Sequence, residues 1–136
     1  MQSTQLRVTI SLLAVTLVSS SVFAQGRYDF GKLEYESSCA NCHGEKGNGN
    51  GPMREFLTKV PTDLATLSKR NGGVFPNSRI HETIDGRTAV MIGSHGAREM
   101  PIWGNVFRSD DMQPRDWYAR DRISSLVDYL ARIQEK

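Results

Sequence analysis

An all-α domain of short helices is what this 136-residue sequence predicts. Three observations carry the prediction. Ile123, Leu126, Val127, Leu130 and Ile133 recur at steps of three and four, the period of one helix face. Helix start and stop signals recur at short intervals upstream of that stretch. No run alternates apolar and polar residues over a useful strand length. The length suits a single domain.

The first 24 residues stand apart from the fold. Arg7 is their only charge, Val8 to Val18 is mostly apolar, and Val22 and Ala24 are small residues spaced as a signal peptidase prefers. Residues 1–24 therefore read as a secretory signal cut after Ala24, leaving residues 25–136 as the domain. An uncleaved anchor is the competing reading. No Cys follows the cut, so a lipoprotein signal is not supported.

The elements then follow in order. Asp29 caps a helix over Phe30 to Ser38 that turns Phe30 and Leu33 inward, with Tyr35 beside them, and delivers Cys39 at its end. Gly44 to Pro52 holds four glycines and reads as a loop in close contact with whatever it crosses. It lacks the Lys-Ser/Thr that a phosphate cradle requires. Thr62-Asp63 starts a helix with Leu64 and Leu67 on one face, ended by Asn71-Gly72-Gly73. Asn77-Ser78 caps a further helix carrying Ile80 and Ile84, stopped by Gly86. Ile102 to Phe107 is a short aromatic segment. The last helix runs from about Trp117 to Gln134.

Composition excludes several function classes. The formal charge is +2 with no basic run, which argues against a nucleic-acid footprint. No stretch reaches the roughly 20 apolar residues that a membrane span requires. Two cysteines are too few for a disulfide scaffold.

Those cysteines lie in Cys39-Ala40-Asn41-Cys42-His43. Three readings compete. An exported chain can join two cysteines in a disulfide. Zinc wants a fourth ligand and a second pair, and only His81 and His95 remain. The third reading is covalent haem attachment, whose signature is C-x-x-C-H. Two intervening residues set the sulfurs about one helical turn apart, to match the two vinyl groups of one porphyrin edge. The next residue, His43, then faces the iron. One motif implies one haem, and the glycine loop Gly44 to Pro52 is expected to pass tightly beside it.

A second axial ligand is sought downstream. A Met/His pair suits electron transfer because thioether raises the potential. Met100 precedes Pro101, which stiffens a loop holding a sulfur. Met91 lies in an apolar run and reads as core filler. Met53 stands too close behind the attachment motif, and Met112 lies in a polar stretch. Met100 is the expected ligand. His95 would give a bis-His iron of lower potential, but reads as a loop histidine. His81 reads as a surface residue of a helix.

With the Cys-x-x-Cys-His motif, Met100-Pro101 and an apolar C-terminal helix together, the chain resembles the class I monohaem cytochromes c. The resemblance spans the whole mature chain and implies their small all-α fold, with short helices wrapped around one covalently attached haem c. It implies that Gly31 and Tyr35 cross the last helix at Leu126, Tyr129 and Leu130. It implies that Pro52 supplies the carbonyl that accepts the Nδ1–H of His43. Trp103 and Phe107 match aromatics beside the methionine loop, and Tyr129 joins them as a haem-pocket candidate. Val60 to His95 has no counterpart assigned in the resemblance.

The implied function is a periplasmic one-electron carrier, not an enzyme. A six-coordinate iron leaves no open site for substrate. Its redox partners, donor and acceptor, are met in brief encounters over small interfaces. Arg54, Lys59, Lys69 and Arg70 are either a rim for acidic partners or a plain solvated face. Two other classes compete: the electron-accepting subunit of a periplasmic dehydrogenase, and a gas- or ligand-binding haem sensor.

Overall fold

The computed structural model describes residues 28–86, 100–109 and 116–135. The expected export signal, Met91, His95 and Met112 lie outside the described residues. Among the described residues all regular structure is helical: α1 (Phe30–Ser38), α2 (Ala40–His43), a 3-10 turn (Pro52–Phe56), α3 (Leu67–Arg70), α4 (Asn77–Asp85), α5 (Trp103–Arg108) and α6 (Asp116–Arg132).

The long helix α6 is the spine. Its stripe of Ala119, Ile123, Leu126, Val127 and Leu130 is buried, as the period of the sequence requires. Three helices pack on it: α1 supplies Tyr35, α4 supplies Ile84 and α5 supplies Phe107. Each such side chain contributes about 1.5–3 kcal/mol by leaving water.

Helix α1 begins as expected. The Asp29 carboxylate accepts from the Lys32 N–H at 3.1 Å and so caps the first turn. Its inward face is not the expected one. Phe30 and Leu33 are exposed, at 69% and 46%, while Gly31 and Tyr35 are buried. The reason is the crossing itself. Gly31 lies against the Ser125 carbonyl of α6, and the face one turn on from Gly31 presents Tyr35. The resemblance named this face correctly where the apolar pattern of the helix did not. Alongside the crossing, Arg122 of α6 grips Glu34 with two bonds of 2.8 and 3.0 Å.

The middle of the chain departs from expectation in detail. No α-helix begins at Thr62-Asp63. Asp63 Oδ1 accepts from the N–H groups of Ala65 and Thr66, at 2.8 and 3.2 Å, and holds a turn. These are the bonds of a helix cap, but the chain runs as a turn through Thr66 and α3 starts at Leu67. Asn77 is the first residue of α4 rather than its cap: the Pro76 carbonyl already accepts from the Ile80 N–H at 3.0 Å. Gly86 ends α4 in the left-handed conformation, at φ 76°.

Candidate functional site

The Cys-x-x-Cys-His segment is built from α1 onward. The N–H of Cys39 still bonds to the Tyr35 carbonyl, and Cys39 then starts α2, its carbonyl accepting from Cys42 and His43. The motif therefore occupies one helical turn, as its spacing predicts. Gly44 ends that turn at φ 80°, which an L side chain rarely tolerates. The glycine loop folds straight back. Gly49 donates to the His43 carbonyl at 2.8 Å and Gly51 to the Cys42 carbonyl at 3.2 Å. Its close approach is thus to the backbone of α2, whose open carbonyls it satisfies.

Both cysteines are half-buried, and their sulfurs are not joined. Burial, with Glu34 and Cys42 nearby, pushes the Cys39 thiol up to about 12. Among the described residues no group of three or more His, Cys, Asp or Glu side chains is placed to hold a metal ion. The disulfide and zinc readings find no support in this arrangement.

His43 is held by one contact of consequence. Its Nδ1 lies 2.8 Å from the Thr62 carbonyl. A carbonyl only accepts, so Nδ1 carries the proton and Nε2 keeps a free lone pair. Burial lowers the basicity of the ring below its ordinary 6.5, against the opposing pull of the Thr62 carbonyl. A neutral imidazole with Nε2 free is what a metal accepts as a ligand.

This corrects the role expected of Pro52. The tight return of the glycine loop brings Pro52 back beside α2, where it starts the 3-10 turn and stands exposed. The carbonyl that reaches His43 comes from the next pass of the chain, behind Pro61. Sequence reasoning missed Thr62, and missed what anchors it. Arg70 Nη2 donates to the Asp63 carbonyl, and Leu64 N–H donates to the Gly47 carbonyl at 2.5 Å. Gln134 closes the anchor: Nε2 donates to the Leu64 carbonyl at 2.7 Å, and Oε1 accepts from the Ser68 N–H at 2.8 Å. Proline before threonine was a visible signal. Nothing local marked Gln134, 70 residues away from Leu64.

The remaining expected residues meet on one apolar cluster. Met100, Trp103, Cys39, Ala40, Leu64 and Ile80 are partly buried against the core of Tyr35, Ile84, Phe107 and the α6 stripe. Trp103 and Phe107 stack with centroids 5.6 Å apart. Phe107 is itself 1% exposed, with the Arg122 guanidinium 4.0 Å above its ring. Tyr129 leans on Tyr35 at 5.2 Å and faces an open polar hollow lined by Asn41, Gly44 and Gly51. That hollow touches none of Cys39, Cys42, His43 or Met100. Of the basic residues, Arg54, Lys69 and Arg70 are all exposed, and Arg70 bonds to the backbone of Asp63 and Thr66.

The Cys39 thiol and the Met100 thioether border one apolar core, and the Cys42 thiol and the His43 imidazole lie on the helical turn that Cys39 starts. This donor set fits an iron porphyrin attached through its edge. A search of curated proteins and one of solved structures returned no significant match. The Cytochrome c family model matches residues 29–134, nearly all of the described chain. The chain belongs to the cytochrome c family, whose members bind haem c covalently and transfer electrons with it.

Proposed function

We propose that this chain is an exported electron carrier, not an enzyme, with haem c joined to Cys39 and Cys42 and its iron held between His43 Nε2 and Met100 Sδ. The observation that carries the reading is the 2.8 Å contact from His43 Nδ1 to the Thr62 carbonyl. It fixes the tautomer and ring plane and leaves Nε2 for the iron. The haem supplies a one-electron ferric–ferrous couple. The residues supply rigidity: a ring anchored through Thr62, a thioether beside a fixed helix start, and an apolar core that favours the less charged ferrous state.

Residues 1–24 act as the export signal in this reading, and the product is periplasmic. Redox proteins are its partners on both sides. Among the described residues no helix is long and apolar enough to cross a membrane.

The test is an absorption spectrum of both redox states, with carbon monoxide added to the reduced protein. A low-spin, six-coordinate iron that ignores carbon monoxide supports the carrier. Met100→Ala then turns the iron high-spin and lowers its potential. Ready carbon monoxide binding by the parent protein refutes the carrier reading and favours the sensor. The dehydrogenase subunit has one observation in its favour. Met53, Phe56 and Val60 stand exposed on the stretch that follows the attachment motif. Co-purification with a larger enzyme identifies that arrangement.

A further inference from the structure

Asp85 is the buried charged residue among the described residues, at 4% exposure. Its Oδ1 takes a 2.7 Å ion-paired bond from Arg108 Nη1 of α5. Arg108 is steadied in turn by Asn105 Oδ1, 3.1 Å from Nη2, and stands 3.7 Å from Asp116 at the start of α6. Burying a carboxylate costs several kcal/mol unless the partner geometry is good, and two apolar side chains would join two helices at less cost. The pair therefore calls for a reason beyond adhesion.

Its surroundings supply one. Gly104 of α5 lies directly on Asp85. A methyl there would collide with the Asp85 carboxylate and stand 2.8 Å from Arg108 Nη2. One residue further along α4, a methyl on Gly86 would stand 2.5 Å from Ile102 Cγ2. Two glycines thus let the end of α4 close onto the start of α5, and the ion pair locks the joint in one register. Apolar contacts alone would tolerate sliding, whereas an oriented carboxylate–guanidinium bond does not. The chain between the two sides of this joint, residues 87–101, contains Met100, two residues before Ile102.

We infer that the Asp85–Arg108 pair is a positioning device for Met100, fixing the α4–α5 joint beside which Met100 lies. The inference rests on Met100 being the second iron ligand. Asp85 and Arg108 need not touch the haem. By fixing that joint they limit how often the Met100 sulfur leaves the iron.

The test uses the oxidised holoprotein, titrated with imidazole at neutral pH. The readout is loss of the sulfur-to-iron charge-transfer absorption. Imidazole enters only when Met100 is off, so its apparent affinity reports the off population. Asp85→Asn is expected to tighten imidazole binding about tenfold or more, given what breaking a buried pair costs. Arg108→Lys keeps the charge but loses the Asn105 bond, and Asn105→Ala loosens Arg108 from outside. Both are expected to shift binding the same way by a smaller factor. Gly31→Ala, at the distant α1–α6 crossing, serves as the structural control. It is expected to lower the urea midpoint without tightening imidazole binding.

Unchanged imidazole affinity in Asp85→Asn overturns the inference. So does an increase no greater than that of Gly31→Ala at a matched loss of urea midpoint. Should Asp85→Asn yield no holoprotein, Arg108→Lys and Asn105→Ala decide, and two unchanged affinities overturn it equally. A parent protein without the charge-transfer band, or a Met100→Ala variant that keeps it, refutes the ligation itself. That failure is distinguishable from failure of the pair alone.

Discussion

The α1–α6 crossing is the most sharply testable joint in the fold. Gly31 has no side chain, and α6 has moved into the space. A Cβ built on it would collide with the Ser125 carbonyl oxygen, 2.8 Å from the carbonyl carbon and 2.9 Å from Tyr129 Cβ. Both obstacles are close to backbone and cannot swing away. Ordinary contact distances are about 3.5–4.0 Å, so Gly31→Ala must part the helices by roughly 1 Å. Overpacking of this kind costs about 1–3 kcal/mol. The helix-propensity gain of alanine is at most about 1 kcal/mol and is smaller in a first turn. A net loss of about 2 kcal/mol remains, which for a domain of this size lowers Tm by about 10 °C. Gly31→Val should lose more. Thermal unfolding followed by circular dichroism measures both. An alanine variant within about 2 °C of the parent would mean that the crossing is looser than the structure shows and that Tyr35 is not pinned there.

Three further contacts have expected outcomes of their own. The Tyr35 hydroxyl donates to the Gly44 carbonyl at 2.6 Å in a buried setting, so Tyr35→Phe should cost about 1–2 kcal/mol in a denaturant titration. Burial holds the Tyr35 phenol well above the ordinary 10, and ultraviolet titration should find it un-ionised until the protein unfolds. Asp29 is held below its ordinary 3.8 by the Lys32 N–H first and by Arg132 second. Its contribution to stability is full above that unfolded value and is lost as pH falls through the lower folded one. Arg132→Ala should raise the Asp29 value towards 3.8 in an NMR titration, and no movement would discount the 2.6 Å ion pair. Asp63→Ala removes the acceptor for two N–H groups beside Thr62 and should cost about 1 kcal/mol by urea unfolding.

What the sequence disclosed depended on the range of the interaction responsible. Helix α1 was legible to the residue because Asp29 and Lys32 are three apart and the cap is local. The α6 stripe was legible because one helix face repeats every three or four residues. The cysteine turn was legible because its chemistry dictates its spacing. Phe30 and Leu33 were misassigned because burial on α1 is decided by a glycine that admits α6, not by where the apolar residues fall. Thr62 was missed for a related reason. A backbone carbonyl has no letter in the sequence, and its placement under His43 depends on Gly47, Arg70 and Gln134 acting over distance. The Asp85–Arg108 pair, 23 residues apart, was invisible on the same grounds.

The pattern of helix contacts gives the haem a structural part as well as a redox one. The apolar core joins α1, α4, α5 and α6. Helix α2 touches α1 and the 3-10 turn, and Ala40 at its start reaches that core beside Cys39. Cys42 and His43 sit at the edge of the core, tied to it through α1 and by the bonds of His43 to Thr62 and of Gly47 to Leu64. Met100 and Trp103 pack against the same core. A small domain can bury only a limited fraction of its chain surface, and here the α6 spine takes most of it. A flat apolar group attached at Cys39 and Cys42 and reaching Met100 would bury faces that the helices leave open and join the two sides of the site. With the proposed ligation, the arrangement that would keep both ligands on the iron would then also complete the core. Loosening the Met100 side, through Asp85 or Arg108, should show first in ligation and only later in global unfolding.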